Sequence, residues 1–268
     1  MGAMPVEFEQ ALSPWLADPP RSAVLLDVDG TLAPIVRHAD DAHVPDSTRT
    51  PLIAVARRYG LVACVSGRRA ATARRIVALG SISYVGNHGA ELLRGGAVTP
   101  ETDAQIAPWA PRVQAFAQAA LTPQLRSLRV RLEDKDVIAA LHWRGALDED
   151  AAEAALRGVA ADAQQAGFAT HWGRKVLEIR PPEPLDKGRG VSRLLRDADI
   201  DSALYAGDDT TDLDAFAALR GLVERNRLAR ALCIGVHSDE TPAELEGSAD
   251  LLVEGPDGVR ALLEALAA

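Results

Sequence analysis

One short apolar run that ends in acid constrains this chain more than any other stretch. It reads Val24-Leu25-Leu26-Asp27-Val28-Asp29-Gly30-Thr31. Its length and its terminal glycine predict a buried strand of a parallel sheet, with the chain turning off the sheet at Gly30. Residues two apart on a strand face the same way, so Asp27 and Asp29 can address one spot at its carboxyl end. Open α/β sheets bind their ligands there. Two carboxylates that close repel each other unless a cation or a shared proton lies between them. An acidic strand end or a helix cap would leave the same local pattern, so the rest of the chain has to decide.

The rest repeats the theme. A helix is expected from Asp46 or Ser47, as its cap, to Tyr59, with Gly60 as its stop. A second apolar strand, Leu61–Val65, ends in Ser66-Gly67-Arg68, and a helix follows to Leu79. A third strand, Ile82–Val85, leads to Gly86-Asn87-His88-Gly89, and Arg94-Gly95-Gly96 reads as the turn of a hairpin between 90–93 and 97–99. Strands alternating with helices at this rhythm predict an α/β fold with a doubly wound parallel, Rossmann-like sheet. Near residue 103 the pattern changes to helix, two strands, helix and a hairpin around Gly173-Arg174, which predicts a small antiparallel sheet backed by two helices. After Pro181-Pro182-Glu183-Pro184 the first rhythm resumes, including a strand that ends in Gly207-Asp208-Asp209. The expected organisation is a core of residues 5–102 and 183–268, with residues 103–182 inserted as an α/β cap.

Composition narrows the partners. With a net charge of -9 over 268 residues the chain lacks the basic footprint of a nucleic-acid binder. It holds no apolar run near the ~18 residues of a membrane span. A basic-then-apolar leader is absent, and Met1-Gly2-Ala3-Met4 reads as an added segment before a second start. A cytoplasmic monomer that takes a small molecule is the expectation. Cys64 and Cys233 each lie in an apolar, strand-like run and are expected to be reduced and buried.

Three strand ends thus carry polar signatures: Asp27–Thr31, Ser66–Arg68 and Gly207-Asp208-Asp209-Thr210-Thr211-Asp212. Parallel strands bring such ends to one edge of the sheet. Clustered carboxylates without a nearby His or Cys call for a hard, oxygen-ligated cation, which suggests Mg²⁺. A hydroxyl, backbone N–H groups, Arg68 and Lys187 are what a phosphate needs. Together they point to phosphoryl transfer with an aspartate nucleophile.

With these motifs in this order the chain resembles the haloacid dehalogenase superfamily, and within it the trehalose-phosphatase family. Asp27–Ile35, Ser66-Gly67-Arg68, Asn87-His88-Gly89-Ala90-Glu91, Asp186-Lys187-Gly188 and Gly207–Asp212 are similar to that family's core motifs. Glu133-Asp134-Lys135, His142-Trp143-Arg144 and Gly173–Pro181 resemble its cap motifs, whereas Leu213 stands where many members carry Glu. The resemblance implies Mg²⁺-dependent hydrolysis of trehalose 6-phosphate. Asp27 would be the nucleophile and Asp29 the proton donor and acceptor. Thr31, Ser66, Gly67, Arg68 and Lys187 would bind the phosphate. The metal would lie among Asp27, Asp29 (through its carbonyl), Asp208, Asp209 and Asp212, the last two unranked. Glu133, Lys135, Arg144 and Glu178 would bind the sugar.

Other readings of the same residues stay open. Asp208 or Asp212 would also serve as a helix cap. Arg68 and His88 would also serve as structural hydrogen-bonders at loop starts, and Glu133, Lys135 and Glu178 as a solvated strand face. The chemistry would equally suit a sucrose, mannosylglycerate or hexose phosphate, and a phosphomutase would use much of it.

Overall fold

A computed structural model of the chain describes residues 6–36, 41–239 and 241–268. The Met1–Met4 segment and part of the expected loop at 34–45 fall outside these residues. In chain order the elements begin with α1 (Val6–Ala17), β1 (Ser22–Leu26), α2 (Asp46–Arg58), β2 (Leu61–Val65), α3 (Ala70–Val77), β3 (Ser83–Gly86), β4 (Glu91–Leu93) and β5 (Glu101–Thr102). Next come α4 (Ala110–Ala120), α5 (Pro123–Ser127), β6 (Arg131–Asp134), β7 (Ala139–His142), α6 (Glu149–Gln165), β8 (Ala169–Gly173) and β9 (Val176–Arg180). The chain closes with α7 (Lys187–Leu195), β10 (Ser202–Gly207), α8 (Asp212–Glu224), β11 (Arg230–His237), α9 (Ala243–Ser248), β12 (Leu251–Glu254) and α10 (Gly255–Ala267).

The chain divides into two compact units, residues 1–101 with 186–268, and residues 102–185. In the first unit the sheet order is β12-β11-β10-β1-β2-β3-β4-β5. The strands from β12 to β3 are parallel, and β4 returns antiparallel to β3. Every residue of β1 is buried, because both faces of the strand are covered. Val24 and Leu26 join a cluster with Leu52 and Val55 of α2 and Leu262 and Leu266 of α10. Ala23 and Leu25 point the other way, into a cluster with Leu194 of α7 and Phe216 and Leu219 of α8. The fold is the doubly wound α/β core that the alternation of strands and helices implied. The order also explains the site, since β1 lies between β10 and β2 and all three end on the same edge.

Some local expectations are corrected. The 90–99 hairpin does not form: β4 pairs with β3, and a turn joining Ala97 N to Arg94 O leads away. Asp46 is the first helical residue of α2, with Pro45 in the capping position. The helix α3 stops at Ala78, which adopts φ 56°, before Gly80 is reached. The long helix expected from 103 begins as a 3-10 turn, Ala107–Trp109, before α4. A short six-residue helix, α9, lies between β11 and β12.

The second unit is a four-stranded antiparallel sheet, β6-β7-β9-β8, with helices on one face. Ala139, Leu141, Leu177 and Ile179 pack with Val113 of α4 and Leu156 and Val159 of α6. Strand alternation sends Glu133, Ala140, Glu178 and His171 to the opposite face, where the register lines them up across all four strands. Cys64 and Cys233 are buried free thiols. No helix among the described residues is long and apolar enough to cross a membrane.

Candidate active site

The edge formed by β1, β2 and β10 gathers the acidic residues. Asp27 follows β1 directly, and its N–H donates to the Ala206 carbonyl at 2.9 Å, so the sheet ladder itself fixes the residue. Oxygens of Asp27, Asp208 and Asp212 all lie within 4.8 Å of one another. Lys187, the first residue of α7, reaches between them, with Nζ 3.0 Å from Asp27 Oδ1 and 2.7 Å from Asp212 Oδ1. The Asp186 carboxylate caps α7 by accepting the Arg189 N–H, which sets the helix start and with it the lysine.

The three carboxylates do not play equal parts. Asp212 is fully buried and its oxygens are already engaged. Oδ1 accepts from Lys187 and, at 2.6 Å, from the Tyr205 hydroxyl; Oδ2 accepts the N–H groups of Asp208 and Asp209 at 3.0 and 2.9 Å. It holds the Asp208-Asp209 turn and the lysine in place. Asp208 has one oxygen on the Thr31 hydroxyl at 2.9 Å, so Thr31 steers a carboxylate. Gly30, at φ 82°, makes room for this pair: a Cβ there would stand 2.0 Å from Asp208 Oδ2. Asp209 turns away, accepting from its neighbour Thr210 at 2.8 Å.

One lysine cannot balance three acids. Burial pushes the Asp27 carboxyl well up, and the charges of Asp212 and Asp208 add to this, against the pull of Lys187. Burial likewise raises Asp208, to about 6. Lys187 is raised as well, because Asp212 and Asp27 outweigh its own burial, so it stays charged. An excess of hard oxygen donors that cannot all ionise suits a small divalent cation, and Asp27 and Asp208 are the carboxylates with oxygens to offer it.

Asp29 lies at the start of the turn after β1, and its carboxylate is gripped by the Arg68 fork, Nε and Nη2 each at 2.7 Å. Arg68 therefore joins Asp29 to the turn that follows β2. In that turn the Ser66 hydroxyl accepts the Arg68 N–H at 3.1 Å, which directs its own hydrogen elsewhere. That Ser66 O–H is the kind of donor an oxyanion meets at a strand end.

In the second unit Lys135 donates to Glu178 at 2.9 Å, and Arg180 donates to the other Glu178 oxygen at 2.9 Å from Nε. Burial pushes the Glu178 carboxyl up, but Lys135 and Arg180 prevail and hold it at about 2. Glu133 pairs with His142 at 2.8 Å, a contact that lowers its carboxyl. Lys135, Glu178 and Arg180 thus form a largely buried charged network, while Glu133 at its side is exposed to solvent. Arg144 is exposed in the turn after β7, and its charge acts on Glu149. Sequence reasoning passed over Arg180 and Tyr205. Arg180 shares its strand face with Glu178 two residues earlier, a spacing visible in the sequence; Tyr205 alternates among apolar residues and gives no signal.

A family model described as trehalose-phosphatase matches residues 25–245 of this chain. The chain belongs to the trehalose-phosphatase family. Among its relatives, a trehalose-phosphate phosphatase of Mycobacterium marinum is 36% identical over 75% of this chain and 52% of its own length. An uncharacterized glycosyl hydrolase of Mycobacterium tuberculosis is 34% identical over 77% of this chain but only 16% of its own length. This trehalose-phosphatase family chain thus spans about half of one curated relative and a small part of the other. In structure it is similar to the C-terminal domain of a C. albicans trehalose-6-phosphate phosphatase, with TM-score 0.72 and 21% identity over 97% of this chain and 96% of that one. That likeness establishes the fold.

Proposed function

We propose that the chain hydrolyses trehalose 6-phosphate to trehalose and phosphate, with Mg²⁺, through a phosphorylated Asp27. The observation that carries the chemistry is the meeting of Asp27, Asp208 and Lys187 at one strand edge, with Ser66 and Arg68 on the neighbouring strand end. Family membership carries the substrate.

Mg²⁺ held by Asp27 and Asp208 would neutralise charge on the transferring phosphoryl group and keep Asp27 ionised. Asp27 attacks phosphorus, and the bond from phosphorus to the sugar oxygen breaks as that oxygen takes a proton from Asp29. The same Asp29 then accepts a proton from the water that attacks the aspartyl-phosphate, releasing phosphate and restoring Asp27. Lys187 and the Ser66 hydroxyl stabilise the spread of negative charge over the phosphoryl oxygens. The Arg68 fork gives Asp29 a resting partner. An arriving phosphate competes for the guanidinium, and the freed Asp29, now beside that anion, takes up the proton that it gives to the ester oxygen.

The face carrying Glu133, Lys135 and Glu178 supplies the sugar contacts in this reading, with residues 103–182 as a specificity cap. Charged side chains already locked to one another present acceptors and donors in fixed positions, which suits sugar hydroxyls. The decisive experiment measures phosphate release from trehalose 6-phosphate and from glucose 6-phosphate, with Mg²⁺ and with chelator. Release that requires Mg²⁺ and favours the disaccharide, and that Asp27→Asn abolishes, is expected. Asp27→Asn turnover near the parent level would refute the nucleophile.

A further inference from the structure

The turn Asn87-His88-Gly89 follows β3 and is used by none of the steps above. Its three residues lie at φ 47°, 50° and 96°, a left-handed run. Side-chain sterics disfavour this conformation, for His88 more than for Asn87. Such a run persists only where its surroundings impose it.

Those surroundings are the phosphate-binding motifs. Asn87 N donates to the Arg68 carbonyl at 2.8 Å and His88 N to the Ser66 carbonyl at 3.2 Å, so the run is sewn to both ends of Ser66-Gly67-Arg68. The His88 ring lies over the middle residue: a Cβ on Gly67 would come within 2.6 Å of His88 Cε1. Behind the run sits Glu91, 1% exposed. One Glu91 oxygen accepts from Asn87 Nδ2 at 2.7 Å and the other from Ala70 N, at the start of α3, at 2.8 Å. On the other flank a Cβ on Gly89 would stand 2.3 Å from the Asp186 carbonyl and 2.9 Å from Gly190 N. The run therefore packs against the beginning of α7, the helix that opens with Lys187.

We infer that the 87–91 turn is the positioning element of the oxyanion cradle. It sets the Ser66-Gly67-Arg68 turn at a fixed distance from Lys187, with His88 acting through Gly67 and Glu91 acting through Asn87 and the Ala70 N–H. None of these residues is a catalytic residue. The left-handed backbone is what lets one short turn face both motifs at once. This rests on the phosphate-handling role given to Ser66 and Lys187 above.

The test separates fold from positioning. His88→Gly removes the ring and at the same time supplies the residue best suited to φ 50°. Thermal melting of the full chain should therefore stay level or rise. Orthophosphate binding, measured by calorimetry with Mg²⁺ present, should weaken roughly ten- to hundredfold, the scale of a misplacement of about 1 Å. Glu91→Gln presents an NH₂ group to one of the donors it faces, Asn87 Nδ2, Ala70 N and the Arg69 guanidinium, and removes the charge that pairs with Arg69. It should lower both melting temperature and phosphate affinity, and His88→Gly decides alone if that variant fails to fold. A His88→Gly chain that binds orthophosphate as tightly as its parent overturns the inference while leaving the phosphatase reading intact. A parent chain that binds none overturns both.

Discussion

At the scale of single residues, the two aspartates of the first strand end differ by their partners. Asp27 faces Lys187 and the acidic group, while Asp29 is held by a guanidinium from the next strand end. A nucleophile must act on every phosphate ester, but a proton donor matters only where the leaving oxygen needs a proton. Asp29→Ala should therefore lower kcat on sugar phosphates by about 10² to 10⁴ and on an aryl phosphate with an acidic leaving group far less. Steady-state kinetics on both substrates checks this; equal losses would remove Asp29 from the proton-transfer role. Both aspartates, Ser66, Lys187 and Asp208 were visible in the sequence because each closes an apolar run or opens a helix. The saturation of Asp212 by Lys187, Tyr205 and two backbone N–H groups was not, because it depends on how far one strand end lies from another.

At the scale of elements, strand alternation does the sorting in both units. On β9, Leu177 and Ile179 enter the apolar cluster, each worth about 1.5–3 kcal/mol of burial, while Glu178 is carried to the other face with Lys135 and Arg180. Lys135→Ala takes away one of two cations from Glu178. With that face in the sugar-binding role, KM for the disaccharide phosphate should rise about tenfold or more, the loss of a charged hydrogen bond, with an aryl phosphate changed less than about twofold. Comparable losses on both substrates would mean that Lys135 does not serve specificity. Most strands and helices could be read from periodicity and glycines. The exceptions share a cause. Residues 90–99 carry a good hairpin signal, but Leu92 and Leu93 find buried positions beside β3, and the edge of a sheet outcompetes a local turn. Helix ends misplaced by a residue or two, as at Asp46 and Ala78, reflect capping choices that neighbouring elements settle.

At the scale of the whole molecule, the excess of acid at the strand edge makes stability depend on pH and on divalent cation together. Asp208, raised from 3.8 to about 6, keeps in the folded chain a proton that the unfolded chain has released. Its contribution is present below about pH 4 and is lost as pH rises through about 6, an effect on the order of 2–3 kcal/mol. Asp27 acts in the same direction. A bound cation favours the ionised carboxylates and opposes the loss. Melting temperatures in chelator should therefore fall relative to those in Mg²⁺ as pH climbs from 4 to 7, with the gap widest at the top. A gap independent of pH would contradict a cation among these carboxylates. Glu178 has the opposite sign: its contribution is present above about pH 4.5 and is lost as pH falls through about 2.

The sheet order also bears on how the chain is made. Ser22 of β1 pairs with Ser202 of β10, and everything between them, including the second unit, is synthesised first. A ribosome that has just completed β9 has released Asp27 and Ser66, but neither Lys187 nor Asp208 yet exists. The growing chain thus carries only part of the acidic strand edge. Until β10 emerges, β1, apolar on both faces, waits with an unpaired edge, the kind of surface on which chaperones act and neighbouring nascent chains stick.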